Sequence, residues 1–128
     1  MSELRQPRLI VCTTCRAGQP LADGETPQGA LLHAELLALI EQSPDDPPVE
    51  LRAAACMANC ERGCSAAIAS PGKWTFVLGH LSPGHAADLL RYAAVYAASA
   101  TGTVMPSRRP ASLGRTVMAR VPHLEYAA

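Results

Sequence analysis

The sequence predicts a small α/β domain in which a β-α-β unit is followed by β-β-α. Three observations carry this. A branched apolar run, Arg8 to Val11, ends at Cys12 and reads as a buried strand. Leu32, Leu36, Leu39 and Ile40 recur at helical spacing, with His33, Glu35 and Glu41 mostly off that stripe. A strongly strand-like stretch, Trp74 to Leu78, follows a proline-glycine turn.

The elements follow in order. Residues 16–29 hold Gly18, Pro20, Gly24, Pro27 and Gly29 and read as a loop. Thr26-Pro27 predicts the opening of the first helix, a hydroxyl cap followed by proline at the first helical position. Ser43-Pro44-Asp45-Asp46-Pro47-Pro48 stops that helix. Val49, Leu51 and Ala53 then alternate with Glu50 and Arg52, a second strand. Two strands joined by a helix are parallel, with a right-handed crossover. Ala66 to Ala69 is short and apolar. Ser70-Pro71-Gly72-Lys73 puts proline and then glycine at the turn centre, as a type II turn requires. The flanking segments therefore form an antiparallel hairpin. Ser82-Pro83 opens a second helix whose buried stripe is Ala86, Leu89, Leu90, Ala93 and Tyr96. This order of elements is the thioredoxin-like arrangement.

From Ser99 onward the periodicity weakens. Pro106, Pro110 and Pro122 punctuate the tail, and Arg108, Arg109, Arg115 and Arg120 dominate its charge. We divide the chain into a thioredoxin-like domain at residues 1–98 and a Pro/Arg-containing extension at 99–128. The extension packs on the domain or at an interface, with Val117-Met118-Ala119 as its one short element.

At 128 residues the chain is long enough for one core. Apolar residues make up 48%, yet only 4% are aromatic, so the core is expected to be alanine-rich and tightly packed. The formal net charge is zero, which argues against nucleic acid or a membrane surface as a partner. The two halves differ: residues 1–64 carry five Arg against nine Asp/Glu, and residues 65–128 carry six Lys/Arg against two Asp/Glu. No secretory signal is visible and no apolar stretch approaches the length of a membrane span, so a cytoplasmic location is expected. Thiols stay reduced there, and the count of five cysteines is odd. Metal binding or redox chemistry is therefore expected rather than disulfide staples.

The cysteines form two tight groups, Cys12-Thr13-Thr14-Cys15 and Cys56-Met57-Ala58-Asn59-Cys60-Glu61-Arg62-Gly63-Cys64. The first group ends strand one and the second leaves strand two. In a parallel β-α-β unit these ends share one edge of the sheet, so the groups can meet. Four or five sulfurs in one place suit a soft or borderline metal, as zinc or as an iron–sulfur cluster. An anionic cluster needs backbone N–H groups close by, and Thr13, Thr14, Ala55, Ala58 and Gly63 permit a close approach. Met57 is placed to shield such a centre, and Arg16 and Arg62 to offset its charge.

Other residues read more plainly. His33, His80 and His85 are expected at the surface or in caps rather than as ligands. Trp74, Tyr92 and Tyr96 are expected as core or interface fillers. The tail arginines read as a solvated face, or as a docking face for an acidic partner. No catalytic triad, phosphate loop or paired-carboxylate site is present in the sequence, so a stand-alone enzyme is not expected.

The strand-ending cysteine pair, the later Cys56-x-x-x-Cys60, Gly63 just after it and the Pro71-Gly72 turn resemble thioredoxin-like 2Fe-2S ferredoxins. The same layout resembles the small iron–sulfur subunit of respiratory NADH dehydrogenase. Val-Cys-Thr-Thr-Cys-Arg at 11–16, the Cys56/Cys60/Cys64 run, the Pro-Gly-Lys turn and the Arg-Pro and Ala-Arg-Val-Pro segments near 109–122 look like an uncharacterised bacterial family of predicted cysteine-rich metal-binding proteins. The resemblance implies one 2Fe-2S cluster, electron transfer with redox protein partners, pairing into a homodimer, and a service to metal or cobalamin metabolism. Its ligands would be Cys12, Cys15, Cys56 and Cys60, with Cys64 as alternate. Two features depart from the ferredoxin pattern. The Cys12–Cys15 spacing is shorter, and Cys64 stands where those proteins carry proline.

Two alternatives use the same cysteines. One is a zinc-binding or metal-carrier protein. The other is a thioredoxin-like dithiol oxidoreductase, whose Cys-x-x-Cys follows a strand. Such a pair ordinarily opens a helix, whereas Gly18 and Pro20 follow here.

Overall fold

The structure is a computed structural model that describes residues 6–16, 22, 24–59 and 62–123. It contains β1 (Arg8–Cys12), α1 (Gln28–Gln42), β2 (Glu50–Ala54), β3 (Ala66–Ala69), β4 (Thr75–Leu78), α2 (Ala86–Ala98) and β5 (Val117–Val121). The strands form one five-stranded sheet in the order β2-β1-β3-β4-β5. β1 and β2 are parallel, in register from Arg8 opposite Glu50 to Cys12 opposite Ala54. β3 runs antiparallel to both β1 and β4. The β-α-β and β-β-α halves thus join into the thioredoxin-like fold expected from the order of elements.

The turn between β3 and β4 has the chemistry read from the sequence. Gly72 takes φ +74°, a conformation glycine adopts without a Cβ penalty, and the Lys73 N–H donates to the Ser70 carbonyl at 3.1 Å. β2 lies at the sheet edge. Val49 before it is buried, Leu51 is half-buried and Ala53 is exposed, so its alternation fades toward the open end.

The start of α1 differs from expectation. The helix begins at Gln28, inside the stretch read as loop, and Pro27 occupies the capping position, one residue later than the expected cap at Thr26. No side-chain hydrogen bond caps this helix, so Thr26 does not serve as its hydroxyl cap. The physical reason lies in the neighbouring chain. A hydroxyl cap serves the orphan amides of the first turn. Here the Cys15 carbonyl accepts the Gly29 N–H at 2.9 Å and does that work instead.

The second helix is entered through a 3-10 turn over Pro83–His85. The Ser82 N–H donates to Nδ1 of His85 at 2.9 Å, which makes His85 a capping residue with its ring proton on Nε2. The buried face of α2 includes Leu89, Tyr92, Ala93 and Tyr96, while Leu90 is only half-buried. Tyr92, expected as a core or interface filler but not on the predicted stripe, is fully buried in the core.

One core joins both helices to the sheet. Leu9, Val11, Ile68, Phe76 and Leu78 meet Leu32 and Leu36 of α1 and Leu89 of α2, all essentially without solvent contact. Phe76 meets Tyr92 and Tyr96 edge-on, with ring centroids 6.0 and 6.3 Å apart. Such T-shaped pairs are worth about 0.5–1.5 kcal/mol beyond the area they bury. The Tyr96 hydroxyl donates to the Trp74 carbonyl at 2.6 Å, which satisfies its buried polar end.

The segment after α2 is tied to the sheet. The Trp74 N–H donates to the Thr101 carbonyl at 2.9 Å, Val104 and Leu113 are buried, and β5 runs antiparallel to β4. The Arg120 guanidinium stacks over the Trp74 ring at 4.5 Å. Among the described residues, no helix is long and apolar enough to cross a membrane.

Candidate metal centre

The parallel register fixes the place of the cysteines. It sets Cys12, the last residue of β1, level with Ala54, the last residue of β2. Beyond Cys12 the chain turns toward β2. The Thr13 N–H donates to the Ala54 carbonyl at 2.9 Å, the Thr13 hydroxyl donates to the same oxygen at 3.3 Å, and the Thr14 hydroxyl donates to the Ala55 carbonyl. On the other side the Cys12 N–H donates to the Ser65 carbonyl at 3.0 Å. The two threonines between the first cysteines therefore clamp the first thiol group to the residues before Cys56, and the Cys12 N–H ties it to the residue after Cys64.

Cys64 is held as firmly. Its N–H donates to the Leu81 carbonyl and its carbonyl accepts the Leu81 N–H, each at 3.1 Å. The Gly63–Cys64 peptide is cis. The Cys64 thiol is wholly buried and hydrogen-bonds with Cys15. Burial, and then the neighbouring sulfurs of Cys15 and Cys12, push its pKa up to about 12, so as it stands Cys64 is a neutral thiol.

The cysteines thus divide by environment. Cys12 and Cys15 are each 4% exposed and Cys64 is 0% exposed, and the three converge at one end of the β1–β2 pair. Cys64, expected only as an alternate, is close enough to interact with both Cys15 and Cys12. Cys56 is exposed, and its sulfur accepts the Ala58 N–H at 3.3 Å. Cys60 lies outside the described residues. The segment after Cys56 is turned back on the domain. Ala58 takes φ +55°, the Asn59 amide donates to the Ser65 hydroxyl at 3.0 Å, and half-buried Met57 packs against the core. Arg16 and Arg62 are exposed at the two ends of the site.

This donor set suits a thiolate-bound group in kind: buried sulfur, small neighbours, and backbone closely packed around it. Among the described residues, no three metal-ligating side chains stand close enough to hold an ion without adjustment.

Sequence reasoning missed Gly29. A β-carbon there would lie 1.9 Å from the Cys12 carbonyl oxygen and 3.2 Å from the Cys15 β-carbon. Only glycine lets α1 seat against the cysteine turn. The signal was a glycine two residues after a helix-opening proline, inside the first turn, where helix propensity alone disfavours it.

Two solved structures share the fold. A thioredoxin-like 2Fe-2S ferredoxin from Aquifex aeolicus is 15% identical, with 95% of this chain and 99% of that chain covered and a TM-score of 0.54. A second structure, of the wild-type thioredoxin-like 2Fe-2S ferredoxin from Aquifex aeolicus, is 12% identical, with 90% and 98% covered and a TM-score of 0.57. At these identities the likeness establishes the fold. No curated protein matches the sequence. One family pattern does, over residues 9–123, a stretch that runs from β1 through β5 and contains all five cysteines. On that match the chain belongs to the family described as protein of unknown function DUF1636.

Proposed function

We propose that the protein is an electron-transfer protein that holds one 2Fe-2S cluster at the end of the β1–β2 pair and exchanges single electrons with redox protein partners. The observation that carries this reading is the convergence of buried Cys12, Cys15 and Cys64, within a ferredoxin-like fold. These three supply sulfur from two separated loops, and the Cys56–Cys60 loop supplies the fourth. When bound, the cluster contributes a single-electron redox couple. The protein's own residues hold and shelter it. Thr13 and Thr14 fix the first pair of sulfurs, Leu81 anchors Cys64, and Met57 limits water. Exposed Arg16 and Arg62 balance negative charge at the rim, where a partner would dock.

A zinc site is the second reading, and burial favours it. Cys12 and Cys15 at 4% exposure and Cys64 at 0% make a closed site, as structural zinc prefers. The dithiol exchanger gains less support, because its attacking thiol must be accessible and Cys12 is buried. Electron paramagnetic resonance of the dithionite-reduced protein tests the proposal. A reduced 2Fe-2S cluster gives a signal and zinc gives none.

A further inference from the structure

We propose that the cleft between α2 and the arginine-bearing turns that follow it binds a small molecule through a phosphate or carboxylate group, gripped by Arg108 and Arg109. This goes beyond the electron-transfer reading and uses none of the cysteines. The cleft measures about 610 Å³, and its wall includes Asp88, Arg91, Val95, Arg108, Arg109 and Ser112. That volume lies within the range of small-molecule sites.

Charge in the cleft is unbalanced in a specific way. Asp88 is its only carboxylate, and it is already committed. Arg91 donates to Oδ1 of Asp88 at 2.9 Å, and the Ser112 hydroxyl donates to Oδ2. Neither Arg108 nor Arg109 has a carboxylate partner among the described residues. Two guanidinium groups therefore line a concave surface with their charge uncompensated. Low-dielectric walls concentrate such a field.

Arg109 adds a second, independent sign. Its Nε is buried without a hydrogen-bond acceptor in good geometry, and its Nη2 makes a long contact to the Val104 carbonyl at 3.4 Å. The Tyr92 hydroxyl, close to this guanidinium, is also buried and unsatisfied by geometry. Buried donors left in that state are rare in native proteins and call for an explanation. Arg109 also lines a second cleft on its other side, with Met105 and Arg120. It is the wall between two solvent-reaching spaces, so an anion in the first cleft meets a guanidinium with hydrogen-bonding capacity to spare. The planar fork of arginine matches phosphate and carboxylate oxygens in pairs.

The test uses the full chain at low ionic strength. Inorganic phosphate and citrate are titrated separately, against sodium chloride of matched ionic strength. Thermal unfolding and the arginine Nε–Hε resonances are the readouts, with metal content measured on the same samples. Saturable stabilisation is expected, together with movement of the Arg108 and Arg109 resonances. Arg108→Gln should weaken the response by about tenfold while leaving metal content unchanged. Stronger binding of phosphate assigns a phosphate ester as the ligand class, and stronger binding of citrate assigns a carboxylate. Arg109→Gln should abolish the response. If that half-buried variant does not fold, exposed Arg108→Gln decides. An equal effect from chloride, or an undiminished response in Arg108→Gln, would overturn the proposal.

Discussion

The Gly29 amide donates to the Cys15 carbonyl at 2.9 Å, so the first turn of α1 and the second cysteine of the amino-terminal pair are one structural unit. The helix start needs an acceptor for its orphan amide, and the cysteine turn supplies it. In return, α1 fixes the backbone that carries Cys15. The absence of a side chain at Gly29 is what allows the two to touch.

Gly29→Ala should therefore destabilise the protein, although alanine is the better helix former by about 1 kcal/mol. A β-carbon would sit 1.9 Å from the Cys12 carbonyl oxygen, against backbone that cannot swing aside. We expect a net loss of about 2–3 kcal/mol in urea unfolding, with reduced metal content as the Cys12–Cys15 turn shifts. A neutral or stabilising effect would show that the helix does not press on the cysteine turn.

The five thiols should sort by serine substitution. Cys12→Ser, Cys15→Ser and Cys64→Ser remove sulfurs that already converge, and each should strip most of the bound metal. One of Cys56→Ser and Cys60→Ser should match that loss, and the other should not. Metal analysis of the purified variants is the check. Full metal retention in Cys64→Ser would return the ligand set to Cys12, Cys15, Cys56 and Cys60.

Removing the metal should loosen the fold without unfolding it. The core that contains Cys12, Cys15 and Cys64 extends well beyond them, through Leu9, Leu32, Ile68 and Leu89. The far-UV circular dichroism of stripped protein should remain close to that of the loaded form. Its Tm should drop by about 5–10 °C, because a ligand bound only by the native state stabilises that state. Wholesale loss of secondary structure would mean that the metal organises the core.

Two buried tyrosines predict the alkaline limit. Burial pushes Tyr92 and Tyr96 up to about 12 from the ordinary value of 10.0. A phenol harder to ionise in the native state gives stability that is complete below the unfolded value and is lost as pH rises toward the folded one. Stability should hold to about pH 10 and fall between there and pH 12, by on the order of 2 kcal/mol per tyrosine. Tyr92→Phe should be nearly neutral at pH 7, since its hydroxyl has no well-formed partner, and should resist the alkaline loss. Tyr96→Phe should cost about 1 kcal/mol at pH 7, because it removes the hydrogen bond to Trp74. Denaturant titrations across this pH range measure both.

Much of this arrangement is legible in local chemistry. β1, β3 and β4 announce themselves by short apolar runs, and the Ser70–Lys73 turn by a proline-glycine pair. Parallel pairing of β1 with β2 follows from the helix between them, and it accounts for the meeting of distant cysteines. What escaped the sequence is set by contacts across the fold. The true cap of α1 is a carbonyl from another loop, which no residue at position 26 can reveal. The burial of Cys64 against Cys15 depends on Leu81, seventeen positions later in the chain, bonding Cys64 on both of its backbone groups. Tyr92 is expected as a filler, but its edge-on pairing with Phe76 of the sheet is one that helical periodicity does not specify.

The central claim is that sulfurs from the two cysteine loops hold an iron–sulfur centre. Anaerobic purification followed by an absorption spectrum with iron, sulfide and zinc analysis tests it most directly. We predict a brown protein with iron and inorganic sulfide in equal amounts, whose visible absorbance is bleached by dithionite. A colourless protein carrying zinc, or carrying no metal after anaerobic handling, would contradict it.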